Sequence, residues 1–310
     1  MNQTQLTAFA AVAEAGSFTR GAERLMVSQP AVSLHVAQLE ASLKTPLFDR
    51  LPRGVRLTAA GEILLRYARR LSALEHEAEA AVAELLGLTR GRLVLGASLT
   101  IGSYLLPAVL GRFRRLHPAI EVDLQIANTQ HIEQMLADGQ IDLALTEGLP
   151  PDTPLPAETF ANDRLLPIAP PGHPILRTRP LTAAVLAKQD LILREIGSGT
   201  REVVENAFAR HRLTLKPMMS LGSTEAIKRA VQAGVGLAVV SELAIDQELA
   251  GGALAVIPVT DLSIVRPLTL RRPPGRTDSP AAVEFVRLLR EHPAPAKRPT
   301  PRAKPRRSLT

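Results

Sequence analysis

The chain has 310 residues, no cysteine and a formal net charge of +7. That length supplies two or more folded units with buried cores, and the missing thiols exclude disulfides and thiolate metal sites. No secretory leader and no run of about 18 uninterrupted apolar residues is present, so a cytoplasmic location without membrane contact is expected. Six basic groups lie in residues 292–310, which hold no acid, leaving the rest of the chain at only +1. Net charge is therefore weak support for a nucleic-acid partner, and motifs have to carry that case.

Residues 3–15 read as a first helix, with Leu6, Phe9, Ala10 and Val12 or Ala13 spaced to pack under a pair of helices. Residues 17–40, SFTRGAERLMVSQPAVSLHVAQLE, read as that pair, two short helices with a tight break. Ser17 can cap the first, which turns Ala22 and Leu25 inward. Ser28 can cap the second, with Pro30 in its first turn, where no backbone donor is lost. Val32, Val36, Leu39 and Leu43 form one apolar stripe. The opposite face carries Gln29, Pro30, Ser33, Leu34 and Ala37, which are short and nearly uncharged. Such a face fits the DNA major groove and offers amide and hydroxyl groups to base edges. The same pattern also fits an ordinary helical hairpin in a core. Candidate DNA contacts are Thr19, Gln29, Pro30, Ser33 and Leu34. Residues 46–48 then form an apolar plug, and residues 51–56 a small turn between two short strands. There Arg53, more than Arg56, is placed to sit on phosphates or probe the minor groove.

The segments LTAFAAVAEAGSFTRGAERLMVSQPAVSLHVAQLEASL, PLFDR and RGVRLTAAGE resemble the amino-terminal domain of LysR-type transcriptional regulators over roughly the first 65 residues. The resemblance implies a winged helix-turn-helix that binds double-stranded DNA. Two residues depart from the family pattern. Lys44 stands where a glycine usually follows the recognition helix, and it must pay for a left-handed backbone. Leu34 takes a recognition-face position that is often polar.

Thr58 is expected to cap a helix running to about Leu88. Its seam, Leu64, Tyr67, Leu71, Leu74, Ala78, Ala81 and Leu85, alternates steps of three and four. About thirty residues make a rod of about 45 Å. Such a rod is too long to bury its seam on one small domain, so a homodimer is expected. Beyond Thr89-Arg90-Gly91, short apolar strands alternate with helices, which predicts a largely parallel sheet with crossover helices in two halves, a clamshell. This part resembles the LysR effector domain, itself similar to periplasmic binding proteins. ASLTIGSYLLP, LILREIGSGTRE and LGSTEAIKRAVQAGVGLAVVS are most similar to the branch regulating Calvin-cycle and sulfur-assimilation genes. The expected division is 1–58 DNA-binding, 59–90 linker and dimerisation helix, 91–291 effector-binding, and 292–310 a disordered basic tail. That tail adds nonspecific DNA affinity or only solubility.

Ligands of parallel α/β sheets bind where strands end and helices begin. Three such junctions carry hydroxyls: Ser98 and Thr100, Ser198 and Thr200, Ser223 and Thr224. Each alone is equally explained by N-capping. Together they predict an anion site at helix N-termini. By resemblance the effector would meet Ser98, Thr100, Thr129, Thr200 and Thr224, with Asn128 and Glu147 as weaker cleft candidates. Scattered Ser98, His117 and Asp142 with no GxSxG, HExxH or P-loop argue against an enzyme. A transport-type binding protein would fit the second half alone but not the helix-turn-helix. The resemblance implies no cofactor beyond a small anionic effector. It implies DNA, a homodimer or tetramer, and RNA polymerase as partners.

Overall fold

The computed structural model describes residues 1–51, 54–85, 91–148, 157–273, 275 and 277–292. Helix α1 (Gln3–Ala15) opens on a reciprocal cap, in which the Asn2 side chain accepts from Gln5 N–H and Gln5 Oε1 accepts from Asn2 N–H, both at 3.0 Å. Helix α2 (Phe18–Leu25) is capped by the Ser17 hydroxyl. Helix α3 (Gln29–Leu43) departs from expectation at its start. Ser28 occupies the cap position, but its side chain makes no cap hydrogen bond; Pro30 and the Ser28 carbonyl, which accepts from Ala31 and Val32 N–H, shape the first turn.

Phe9, Val12, Val32, Leu39 and Leu47 are fully buried together, each stabilising by roughly 1.5–3 kcal/mol through the apolar surface it removes from water. The α3 stripe stops at Leu39, because Leu43 is 38 % exposed. Lys44 ends the helix at φ 54°, the left-handed conformation for which glycine is ordinarily used. Strands β1 (Phe48–Arg50) and β2 (Val55–Leu57) pair antiparallel as the wing, with Leu47 and Phe48 plugging the head. Arg53 lies outside the described residues.

Helix α4 (Ala59–Leu85) starts where the Thr58 hydroxyl accepts from Gly61 N–H at 3.1 Å, and its 27 residues span about 40 Å. The expected seam divides. Leu64, half-buried beside Leu65 and Ala68, packs against the core of the head. Tyr67, Leu71 and Leu74 remain 56 %, 44 % and 59 % exposed, which is costly apolar surface for an isolated helix. The Leu85 side chain lies outside the described residues.

The second half runs β3 (Gly91–Ser98), α5 (Leu106–Leu116), β4 (Ile120–Ala127), α6 (Thr129–Ala137), β5 (Leu143–Glu147), β6 (Ala157–Ala169), α7 (Ala183–Leu186), β7 (Leu191–Arg194), α8 (Gly199–Arg210), β8 (Met219–Leu221), α9 (Thr224–Gln232), β9 (Leu237–Ser241), α10 (Asp246–Ala250), β10 (Ala255–Val256), β11 (Ile264–Arg271) and α11 (Pro280–Glu291). The strands form one sheet in the order β4-β3-β5-β11-β6-β9-β7-β8, with β10 beside β6. The expected parallel pairing holds within two blocks, β4-β3-β5 and β9-β7-β8. The long strands β6 and β11 join the blocks antiparallel, so the sheet as a whole is mixed.

Each block carries its own apolar core. Phe113, Leu268 and Phe285 lie in the first lobe, and Leu165, Phe208 and Ile264 in the second. Strands β6 and β11 therefore belong to both lobes and form the hinge between them. One ion-pair chain ties the head to the first lobe: Arg69 of α4 reaches Glu14 of α1 at 3.5 Å and Asp138 at the end of α6 at 3.8 Å. No helix among the described residues is long and apolar enough to cross a membrane.

Candidate functional site

On the head, Gln29, Pro30 and Leu34 lie exposed and Ser33 half-buried, on the side of α3 away from Val32, Val36 and Leu39. Gln29 Nε2 donates to Ser33 Oγ at 2.9 Å, a pair at i,i+4 spacing that presents an amide and a hydroxyl as one unit. Thr19 is exposed on α2. On the wing, Arg56 meets Asp49 at 3.6 Å with both side chains mostly in solvent, so the pair contributes little to stability.

Between the lobes, the structure gathers Thr100, Glu147 and Thr200 around a side chain that sequence reading did not single out, Arg266 of β11. Its guanidinium is fully buried. Nε and Nη2 grip the Asp163 carboxylate at 2.8 and 2.7 Å, and the two residues face each other across the β6–β11 ladder. Nη1 donates to Thr200 Oγ1 of the second lobe at 2.7 Å, and Nη2 donates to Thr100 Oγ1 of the first at 3.2 Å. Glu147 Oε1 lies 3.5 Å from Nη1 and accepts from Thr200 Oγ1 at 3.4 Å. One cation thus holds a hydroxyl from each lobe. A lone Arg inside the apolar run SIVRPLTL was the available signal, since a guanidinium is not buried without a partner; Asp163, between Asn162 and Arg164, gave no comparable one.

The other predicted residues divide. Thr129 Oγ1 donates to Glu147 O and accepts from Gly199 N–H, each at 3.2 Å, which stitches α6 and β5 to the start of α8. Gly199 is required there, since a Cβ would stand 1.9 Å from Glu147 O. Thr224 accepts from Arg194 Nη1 at 3.4 Å, and Arg194 is itself buried against the Glu195 carboxylate. Asn128 and Ser223 act as caps, accepting from His131 N–H and Ala226 N–H. Ser198 stands at the start of α8 with no side-chain cap bond, and Ser98 is buried at the end of β3 with its hydroxyl unpartnered. Thr100 precedes a π-helical turn, Ile101–Leu105, rather than an α-helix; such turns are enriched at functional sites.

A cavity of about 540 Å³ opens beside the cluster, walled by Thr129, Gln130, Gly197 and Ser198. Glu133, Glu202 and Glu205 face it against the single guanidinium of Arg201, so its rim is acidic. Burial raises the Glu133 carboxyl above the ordinary range, Arg271 draws it down, and Glu202 raises it again. Positive potential for an anion therefore has to come from deeper in, from Arg266 and the helix N-termini.

Residues 3–62 match the bacterial regulatory helix-turn-helix protein of the lysR family, and residues 86–294 match the LysR substrate binding domain. The chain belongs to the LysR family of transcriptional regulators. A relative named as a probable RuBisCO transcriptional regulator, from Synechocystis sp., is 39 % identical over 289 residues, covering 91 % of this chain and 84 % of that protein. Among solved structures, the Synechocystis PCC6803 CcmR regulatory domain in complex with 2-PG superposes with a TM-score of 0.61 at 31 % identity, over 65 % of this chain and 97 % of the other. A full-length OxyR variant from Pseudomonas aeruginosa gives 0.69 at 24 % identity over 94 % and 97 %, a likeness of fold from head to effector domain. This LysR-type protein is thus a DNA-binding transcriptional regulator with a two-lobed effector-binding domain, and its relatives are regulators rather than enzymes.

Proposed function

We propose that this LysR-type regulator reads operator DNA as a dimer and binds a small phosphorylated or carboxylic anion between its lobes. The observation that carries this reading is the Arg266 bridge. A molecule that competes for the Thr100 and Thr200 hydroxyls changes how tightly the two lobes are tied, and only such a difference between states lets a ligand act at a distance. The likeness to a regulatory domain solved with 2-PG makes 2-phosphoglycolate the first probe.

In this reading residues 1–58 are the DNA-binding unit, 59–90 the linker, 91–291 the effector domain and 292–310 a basic tail. Gln29, Pro30, Ser33 and Leu34 face bases, with Thr19 and Arg53 on the backbone. Ser98, Thr100, Thr129, Ser198 and Thr200 line the effector site, with Glu147 behind them. Thr224 acts through Arg194, while Asn128 and Ser223 fix the helix starts. Tyr67, Leu71 and Leu74 meet a second copy, and two dimers pair as a tetramer that contacts RNA polymerase in the cytoplasm.

Calorimetric titration of the full chain with 2-phosphoglycolate, inorganic phosphate and sulfate tests the effector class. A gel shift on the DNA divergent from its own gene tests the operator. Heat from none of the three anions would remove the anion reading, and uniform retardation of all fragments would remove specific reading.

A further inference from the structure

Glu147 is only 3 % exposed, and its Oε2 has no hydrogen-bond partner. An ionised carboxylate in that state would be expensive, because burial without full pairing costs far more for a charge than for a neutral acid.

The groups facing it do not remove the difficulty. From β11, Arg266 is the nearest cation, yet its Nε and Nη2 both meet Asp163 Oδ2 and it approaches Glu147 only at 3.5 Å. From β6, Asp163 adds a like charge. From β7, Arg194 is neutralised by Glu195, and from α8 the Glu202 carboxylate lies near Gly148. Thr100 and Thr200 offer hydroxyls only. With Asp163 taken by Arg266, an ionised Glu147 would leave this buried cluster with an excess negative charge, which disfavours an incoming anion. Burial raises the Glu147 carboxyl; Arg266 and Thr100 draw it down, Asp163 raises it and Arg194 draws it down.

Resting on the effector reading above, we propose that Glu147 stands as a neutral acid in the empty site and donates its proton's hydrogen bond to the bound anion. The unpartnered Ser98 hydroxyl, at the end of the strand beside β5, is the second donor of the same kind. The anion site is then built of neutral donors over a buried guanidinium. It takes an anion whose oxygen accepts from a carboxylic acid, such as a phosphate ester or a carboxylate. No bond to carbon or phosphorus is made or broken, and the proton stays between Glu147 and the ligand oxygen.

Infrared spectroscopy of the full chain without ligand, compared with Glu147→Gln, reads this directly. The parent should show a protonated-carboxyl stretch at pH 7 that the variant lacks, and 2-phosphoglycolate should shift the band. Affinity for 2-phosphoglycolate should fall up to about tenfold per pH unit above the pH at which the band disappears, and Glu147→Gln should flatten that dependence. If the variant does not fold, the shift of the parent band on adding ligand decides the point. A parent spectrum without a protonated-carboxyl band between pH 6 and 7 would overturn the proposal. A band present while none of the three anions gives heat would uphold the neutral acid and sink the anion reading of the effector instead.

Discussion

The Tyr104 hydroxyl of the first lobe donates to Glu225 Oε1 of the second at 2.5 Å. Behind this contact Lys228 is buried, pairing with Glu225 at 2.5 Å and Glu248 at 2.7 Å and standing 5.4 Å from the Tyr104 ring centroid. The Tyr104 hydroxyl is pushed well above its ordinary range by burial and then by its bond to Glu225. Away from the Arg266 bridge, this contact also ties the lobes together. Tyr104→Phe deletes a bond to a charged acceptor. With Glu225 mostly exposed, the loss should be about 1 kcal/mol, below the roughly 1.5–3 kcal/mol of a bond to a charged group that solvent does not screen. Chemical denaturation should register it, and small-angle scattering should show a more open effector domain. An unchanged scattering profile would reduce the contact to a local one.

Arg266→Met would leave the Asp163 carboxylate buried without its cation. Removing one partner of a buried ion pair typically costs about 3–5 kcal/mol, and Ser241 Oγ, which donates to Asp163 Oδ1 at 2.9 Å, cannot replace a charge. The thermal unfolding temperature should fall sharply. A loss below about 1 kcal/mol would show that the cluster is less desolvated than its burial implies.

The first lobe meets the second where Gly199 lies under Glu147 O. Gly199→Ala places a Cβ against that carbonyl and 2.7 Å from Thr129 Oγ1. It should cost about 1–3 kcal/mol and weaken effector binding, as overpacking does. Gly222→Ala, with no atom within 4 Å, is the control and should be nearly silent.

Stability should also carry the mark of Glu147. Its folded value is raised, so the folded state holds a proton that the unfolded state releases near the ordinary value of 4.5. Stability is then fully present below that point and declines as pH rises through the folded value. Glu147→Gln should remove this decline above pH 4.5 in denaturant titrations. Parallel curves for parent and variant would contradict the assignment.

Much of this was legible in the sequence because periodicity and caps are local. The pairing of α3's polar face with a Val32, Val36 and Leu39 stripe, the Thr58 cap and the strand-helix alternation all depend on neighbours a few residues apart. The mixed sheet was not legible. Whether β6 and β11 run with or against their neighbours depends on a distant return of the chain, since the facing residues Asp163 and Arg266 are 103 positions apart. Arg266 escaped for the same reason, because its partners Asp163, Thr100 and Thr200 come from three separate elements. That Leu64 also packs against the head was not legible, because the heptad spacing alone does not show where the head ends.

The exposed run Tyr67, Leu71 and Leu74 predicts assembly. Leu71→Asp with Leu74→Asp would place charges in a dry interface and split the dimer, and DNA affinity should fall because two half-sites must be held at once. Sedimentation of the variant as an unchanged oligomer would move the interface elsewhere.

The most direct test of the central claim is operator affinity measured with and without 2-phosphoglycolate, for the parent and for Thr100→Ala. The lobe-bridging site predicts that 2-phosphoglycolate shifts affinity or DNA bending in the parent. It also predicts a much smaller shift in Thr100→Ala, whose hydrogen bond to a charged ligand is worth about 1.5–3 kcal/mol. Calorimetric binding of 2-phosphoglycolate to the parent with no change in operator affinity or bending, or an equal shift in Thr100→Ala, would contradict it.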